Sequence, residues 1–573
     1  MINTVIAAIK STVKQFKLCC HSERSEESKI PRSFVAMLLR MTTLILSSIF
    51  LSLSFSSFNS SFLAWIGLVP LFFALKNNPP RQSFILSYVC GALFFLVSMY
   101  WIFHVTPVGW IILSLYQGLY FGIFGLFFSA VLRNTKYHIL HTKYLILPCA
   151  WCLLEYIRAN LFGGIGWNLL ASSQYAQLPI IQIADITGAY GVSFLIVLVN
   201  LALFEVISIL LYKKAKAKVE VNVKVLFEVL AVLFIVIAVL LYGKGQISQF
   251  SAYKDNAESF KVSLIQGNIE QMHKWDAKYK DYILDKYERL TLKAAKDRPD
   301  IIIWPETSIP GYLNRDLRLM RYMENLSKKT GIPILLGAPM VGIDDKEREV
   351  ELNSAVLFSD KGHILQRYDK LHLVVFGEFI PFAQYVPGIE RFFPITGNFI
   401  PGNKYTLFKL KGATFGTLIC FEDIFPGMVR RFVREGAEFM VNMTNDAWFG
   451  RSCAAYQHAA NSVFRAIENR RPVARSANTG LSCFIDRTGR LSSLRGSISD
   501  RSNPNDTVIA SQRRSNPKPK ELFVEGHITD NIKLYRDSTL TFYTKYGDIF
   551  ILFCLIIVAC FVIDYIRYRK YNN

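Results

Sequence analysis

The sequence predicts a polytopic α-helical membrane domain of about eight spans joined to an extracytoplasmic α/β sandwich. Three observations carry the prediction. Of 573 residues, 51% are hydrophobic and only 19% charged. The apolar residues gather in long runs instead of recurring at amphipathic helix or strand spacing. Beyond about residue 254 the texture changes to short β-rich runs alternating with helical patterns. Such a composition excludes a disordered or fibrous chain, and a membrane part has to be set aside before soluble domains are counted.

Residues 1–42 read as a basic leader, and no secretory cleavage pattern precedes the first apolar run. The runs lie near 43–57, 61–75, 83–104, 109–132, 144–162, 178–212, 224–243 and 547–566. At about 1.5 Å per residue, a run of some twenty residues crosses a hydrocarbon core of roughly 30 Å. The runs 43–57 and 61–75 are short enough to form one re-entrant pair, and two spans around an uncharged, Ser-rich outer turn are the preferred reading. The expected organisation is therefore a membrane domain over 43–243 (about seven spans), a catalytic domain over 254–527, a last span at 547–566 and a basic tail at 567–573.

Loop charge sets the orientation. Segments 1–42, 76–82, 133–143, 213–224 and 567–570 hold twenty Lys or Arg against four acidic residues. The alternate connections 55–61, 104–109 and 159–178 hold no charged residue. By the positive-inside rule the basic loops and both termini are cytoplasmic, which puts 254–527 on the extracytoplasmic side. These loops carry most of the net charge of +21, so nucleic-acid binding is disfavoured.

Seven of the ten cysteines, Cys19, Cys20, Cys90, Cys149, Cys152, Cys554 and Cys560, fall in the leader or the spans. There they read as small apolar filler. The outer domain keeps Cys420, Cys453 and Cys483, an odd number without metal-type spacing, so neither a disulfide framework nor a metal site is expected. Residues 20–42 and 493–519 are Ser/Arg-rich low-complexity stretches that read as surface insertions.

In the outer domain, strands are expected at 261–269, 301–304, 333–337, 355–358, 363–367, 417–421, 439–443, 473–476 and 482–485. Helical spacing joins Leu313, Leu317, Met320, Met323 and Leu326, and again Tyr456, Ala460, Val463 and Ile467. In α/β folds chemistry collects at strand ends. Three ends here carry unusual polar residues: Glu306, Lys370 and Cys420. Cys420 closes an apolar strand at a strand-to-helix turn, where backbone N–H groups can face a developing anion.

An unperturbed thiol is mostly protonated at neutral pH and needs a base. His273 and His458 lie in helical or loop stretches, His372 follows Lys370, and His363 and His527 sit in turns. The base is then a carboxylate. Glu306, led into by an apolar strand and by Trp304 and Pro305, is the candidate, its carboxyl raised by desolvation. Lys370 supplies a cation for the oxyanion and lowers the thiol. Taken singly, each also reads as a turn carboxylate, a solvated lysine or an inert buried thiol.

Together the strings say more. Ile303-Trp304-Pro305-Glu306, Tyr368-Asp369-Lys370 with Phe376-Gly377-Glu378, and Ile419-Cys420-Phe421-Glu422 resemble the Glu-Lys-Cys signature of the nitrilase, or carbon–nitrogen hydrolase, superfamily. Further strings narrow the resemblance to the apolipoprotein N-acyltransferase family: Glu155-Tyr156-Ile157-Arg158 before Gly166-Trp167, Gln266-Gly267-Asn268-Ile269 with Lys274-Trp275, and Asn445-Asp446-Ala447-Trp448-Phe449-Gly450.

That resemblance implies a nitrilase-like α-β-β-α sandwich on a bacterial inner membrane protein. Its implied reaction moves a fatty acyl chain from a membrane phospholipid to the α-amino group of the N-terminal S-diacylglyceryl cysteine of lipoproteins. It implies a thioester on Cys420, Glu306 as general base and acid, Lys370 as oxyanion stabiliser, and no metal or cofactor. Glu378 and Glu422 would orient Lys370 and the nucleophile loop, Trp275 and Phe421 would line the site or its cover, and Trp167 would face it from the membrane part.

Glu155 and Arg158 read as a buried ion pair between spans. Apolar loops such as 375–397 would exclude water from the thioester. Phe421 stands where the family often has Tyr, Val375 where Pro is usual, and Ile165-Gly166 where Phe-Pro is common, so no hydroxyl role carries over to position 421. Two other classes remain open: a membrane-tethered amidase or nitrilase using the same triad, and a non-catalytic membrane scaffold.

Overall fold

The computed structural model describes residues 32–56, 60–133, 142–215, 223–252, 258–344, 346–380, 399–493, 522–536 and 539–572. Most of the leader, the stretch 494–521 and most of the expected covering loop lie outside them. Seven described helices are long and apolar enough to cross a membrane: Met37–Ser54, Pro80–Ser98, Pro107–Arg133, Lys143–Gly163, Ala189–Leu211, Val225–Phe250 and Ile549–Tyr568. The run 61–75 is not an eighth long helix. Pro70 and short 3-10 turns break it into Ser61–Leu63, Ala64–Gly67 and Val69–Leu75, and the piece packs against the helix Arg32–Ser54. That helix begins inside the stretch expected to be low-complexity. Within the run 178–212 the long helix starts only at Ala189, after Gly188 takes a positive φ of 65°.

Glu155 and Arg158 are both buried, but they do not pair directly. Glu155 accepts from Trp151 Nε1 at 3.0 Å and from the Leu170 amide at 2.8 Å. Arg158 donates to the carbonyls of Ile165 at 3.2 Å and Trp167 at 2.7 Å. Each charged group thus satisfies backbone of the loop 165–170, which helical geometry alone would leave unpaired inside the protein.

The α/β domain is built on two six-stranded sheets. The first has the order β12-β1-β2-β3-β4-β5, from strands Gly526–Leu534, Glu258–Gln266, Ile301–Ile303, Ile334–Ile343, Glu349–Phe358 and Ile364–Asp369. The second has the order β11-β10-β9-β8-β7-β6, from Leu491–Ser493, Cys483–Ile485, Val473–Ala477, Phe439–Thr444, Ala413–Ile419 and Leu407–Leu410. Strands β1, β2 and β3 run parallel, as do β7, β8 and β9. Strands β6, β11 and β12 were not expected. The last pairs with β1 from Glu258↔Leu534 to Gln266↔Gly526, carrying the first sheet past residue 527.

Alternation along the strands sorts the cores. Ile301 and Ile303 join Val262, Leu264 and Leu335 in the cluster that also holds Phe415, Leu418, Phe439 and Val441 of the second sheet. Ile302, between them, turns to the other face and packs with Tyr287, Leu290 and Met323 of helices Lys280–Ala295 and Leu317–Thr330. Helices Pro426–Arg434 and Ala454–Asn469 cover the second sheet, which completes the α-β-β-α sandwich.

Every residue of Ala454–Asn469 is buried, because the membrane part closes its other side. Gln457 Nε2 donates to the Ser98 carbonyl at 3.0 Å, and Glu468 accepts from the Ala189 amide at 3.1 Å.

Candidate active site

Strand ends of both sheets deliver the key side chains to one place. Glu306 follows β2, Lys370 follows β5 and Cys420 ends β7. Lys370 is 1% exposed, Glu306 6% and Cys420 9%, so the two charged groups that singly read as a turn carboxylate and a solvated lysine are withdrawn from water together with the thiol.

The Lys370 ammonium lies 2.8 Å from Glu378 and 3.6 Å from Glu306. Asn353 Nδ2 bridges the same two carboxyl groups, donating to Glu306 at 2.9 Å and Glu378 at 3.0 Å. The Val374 amide donates to Glu378 at 2.9 Å. Burial disfavours the ammonium, but Glu378 and Glu306 overcome it and hold Lys370 well above the ordinary lysine range.

Cys420 has φ of +54°, the left-handed region that costs an L-residue about 1–2 kcal/mol. The strand therefore turns abruptly into the 3-10 turn Cys420–Ile424. Burial and the neighbouring Glu306 push the thiol up, while Lys370 and a hydrogen bond with Thr444 pull it down without reversing the shift. Lys370 thus does not leave a lowered thiol at rest, as its charge alone suggested; desolvation wins.

Glu422 is fully buried and ties two loops together. It accepts from the Ile419 amide at 2.7 Å, just before Cys420, and from the amides of Leu371 at 2.7 Å and His372 at 3.0 Å, just after Lys370. Burial lifts its carboxyl to about 7 against these donors.

The aromatic candidates divide. Phe421 packs edge-on to Phe425, with ring centroids 5.4 Å apart, and is partly buried. Trp275 is half-exposed beside Lys274. Trp167 is buried instead of lining an open site: its ring lies 5.0 Å from His458, and its Nε1 donates to Gln457 at 2.9 Å.

Several residues at the site escaped sequence reasoning. Lys274 is buried, donates to the Glu306 carbonyl at 3.1 Å, and is lowered by burial to about 7. Asn353 lies in the half of β4 that periodicity missed. Behind Cys420 sit His458, Asp423, Asp446 and Arg475, all fully buried. Their legible signal was Arg475, a charge in the middle of an apolar strand, which demands partners.

Gly337 on β3 sets the backbone of Glu306. A Cβ there would stand 2.6 Å from both the Pro305 carbonyl and the Glu306 Cα, and backbone cannot swing aside as a side chain can. Gly337→Ala is expected to cost about 1–3 kcal/mol and to displace Glu306, read as a lower Tm together with reduced activity.

His458 supplies a pH prediction. Burial and Arg475 disfavour its protonation, but Asp423 and Asp446 prevail and raise it from 6.5 to about 9. The folded state therefore holds a proton that the unfolded state releases earlier. The resulting stability is complete below about pH 6.5 and is lost as pH rises through about 9. Thermal unfolding between pH 6 and 10 should show that decline, and His458→Gln should flatten it.

The family models agree with this architecture. "Apolipoprotein N-acyltransferase N-terminal domain" matches residues 47–202 and "Carbon-nitrogen hydrolase" matches 261–499. An apolipoprotein N-acyltransferase of Geobacter metallireducens is 36% identical over 89% of this chain and 92% of its own. Its counterpart in Chlorobaculum tepidum is 31% identical over 78% of this chain and 86% of its own. A solved amidase of the nitrilase superfamily from Nesterenkonia AN1 aligns over 50% of this chain and 93% of its own, with 16% identity and a TM-score of 0.33.

Proposed function

The chain belongs to the apolipoprotein N-acyltransferase family, and from that premise we propose that it takes a fatty acyl chain from a membrane phospholipid and delivers it to the N-terminal S-diacylglyceryl cysteine of lipoproteins. The observation that carries this reading is a buried thiol at a left-handed strand end, Cys420, beside the Glu306–Lys370 pair, in a domain seated on membrane helices.

In the first half-reaction Glu306 accepts the Cys420 proton as sulfur bonds to the acyl carbonyl carbon. The Lys370 ammonium stabilises the oxyanion. The ester C–O bond then breaks, and the lysophospholipid alkoxide takes the proton back from Glu306. In the second half, the lipoprotein amine attacks the thioester and gives its proton to Glu306. The C–S bond breaks and the thiolate recovers that proton, so the enzyme is unchanged. Because the resting thiol is neutral, proton transfer has to accompany attack. Both reactants are lipids, which suits a domain on the extracytoplasmic face with both termini cytoplasmic. Glu378 and Asn353 hold the acid–base pair, and Glu422 holds the nucleophile turn against the lysine loop.

The test is to incubate the detergent-purified protein with acyl-labelled phospholipid, without acceptor, and to denature it. A hydroxylamine-sensitive label on Cys420 is expected, chased onto a diacylglyceryl-cysteine peptide when that is added. Product formation without an adduct would sink the covalent route. Release of the label only as free fatty acid would favour the hydrolase reading.

A further inference from the structure

We propose that the buried quartet His458, Asp423, Asp446 and Arg475 is a positioning device for the nucleophile, gripping the Cys420 carbonyl and so holding the left-handed turn that presents the thiol. The proposal rests on the assignment of Cys420 as nucleophile. Four elements meet here: the helix Ala454–Asn469, the turn Cys420–Ile424, the segment after β8, and β9. Each of the four residues is at most 1% exposed, so none of them faces substrate or solvent. Four formal charges out of water are costly unless they balance and are hydrogen-bonded.

They do balance when His458 is an imidazolium. Its Nδ1 lies 2.8 Å from Asp446 Oδ1, and its Nε2 lies 3.1 Å from Asp423 Oδ1 and 3.3 Å from the Cys420 carbonyl. Both ring nitrogens thus face acceptors, which only the doubly protonated ring satisfies. Arg475 reaches Asp423 at 3.3 Å and Asp446 at 3.1 Å.

The link to the nucleophile is its carbonyl oxygen. It accepts from His458, and from Asn442 Nδ2 at 3.1 Å, while Asn442 Oδ1 accepts from Arg475 at 3.0 Å. Both donors on that carbonyl are therefore fixed by the quartet. A left-handed residue released from such a grip relaxes toward the ordinary regions of backbone space and swings its side chain. The Trp167 ring of the membrane part packs on His458, so the membrane domain bears directly on this device.

The experiment follows alkylation of Cys420 by iodoacetamide in the full-length, detergent-purified protein, by peptide mass spectrometry, alongside kcat and KM for labelled phospholipid. His458→Gln leaves one excess negative charge; His458→Gln with Asp446→Asn restores neutrality. His458→Gln is expected to slow alkylation and lower kcat by roughly tenfold or more with KM little changed, and the double variant to recover much of both. Wild-type rates in His458→Gln, or a double variant no better than the single, would overturn the proposal.

Should His458→Gln not accumulate, Asn442→Ala decides, since it removes a donor to the carbonyl but no charge. The same slowing is expected, and unchanged alkylation would count against the grip. Alkylation needs no acyl donor. A wild type that alkylates at Cys420 yet transfers no acyl chain would therefore refute the acyltransfer reading alone.

Discussion

Cys420→Ala is expected to lower acyl transfer by roughly 10^4-fold or more, because the proposed route carries the acyl chain on its sulfur. The side chain sits in no charged pair, and its removal deletes a single sulfur from a site organised by Lys370, Glu306, Glu378 and Asn353. Tm and membrane insertion should therefore stay close to wild type. The sulfur is withdrawn from water and its thiol is pushed up, so Cys420→Ser, with a far weaker acid at the same place, should be nearly as inactive. Measured turnover of either variant within tenfold of wild type would dismiss Cys420 as the acyl carrier.

Lys370→Met should damage both stability and activity. Its ammonium is the shared counter-charge of Glu378 and Glu306, and all three groups are nearly or fully buried. Taking away one partner of a buried pair leaves a charge without compensation, at about 3–5 kcal/mol. Methionine keeps the volume, so the loss reports electrostatics and not a cavity. Acyl transfer should fall by roughly 10^2-fold or more with the cation proposed for the oxyanion gone. A variant as stable as wild type at pH 8 would mean that the two carboxyl groups do not depend on this lysine.

The candidate triad was legible because each member sits in a short string whose neighbours are local: an apolar strand, then a polar residue at its end. Glu306 and Cys420 could be placed at strand ends by hydrophobic runs alone. Asn353 could not, since its strand starts in the mixed stretch Glu349–Leu352, and its value lies in reaching two carboxyl groups from distant loops. His458 was passed over as a helical histidine. What distinguishes it is burial beneath Cys420, a property of what packs around the helix and not of the helix.

By itself the sequence determined the membrane runs, the α/β character of the domain that follows them and the strand-end positions of Glu306, Lys370 and Cys420. These follow from hydrophobic periodicity and local charge, which act between near neighbours in the chain. The tertiary structure decided that seven described helices are long and apolar enough to cross a membrane, that β12 returns to pair with β1, that Glu155 and Arg158 serve backbone instead of each other, and that four buried charges stand behind Cys420. Whether a charged side chain is solvated, paired or gripping a carbonyl depends on groups brought from far along the chain, and only folding brings them together.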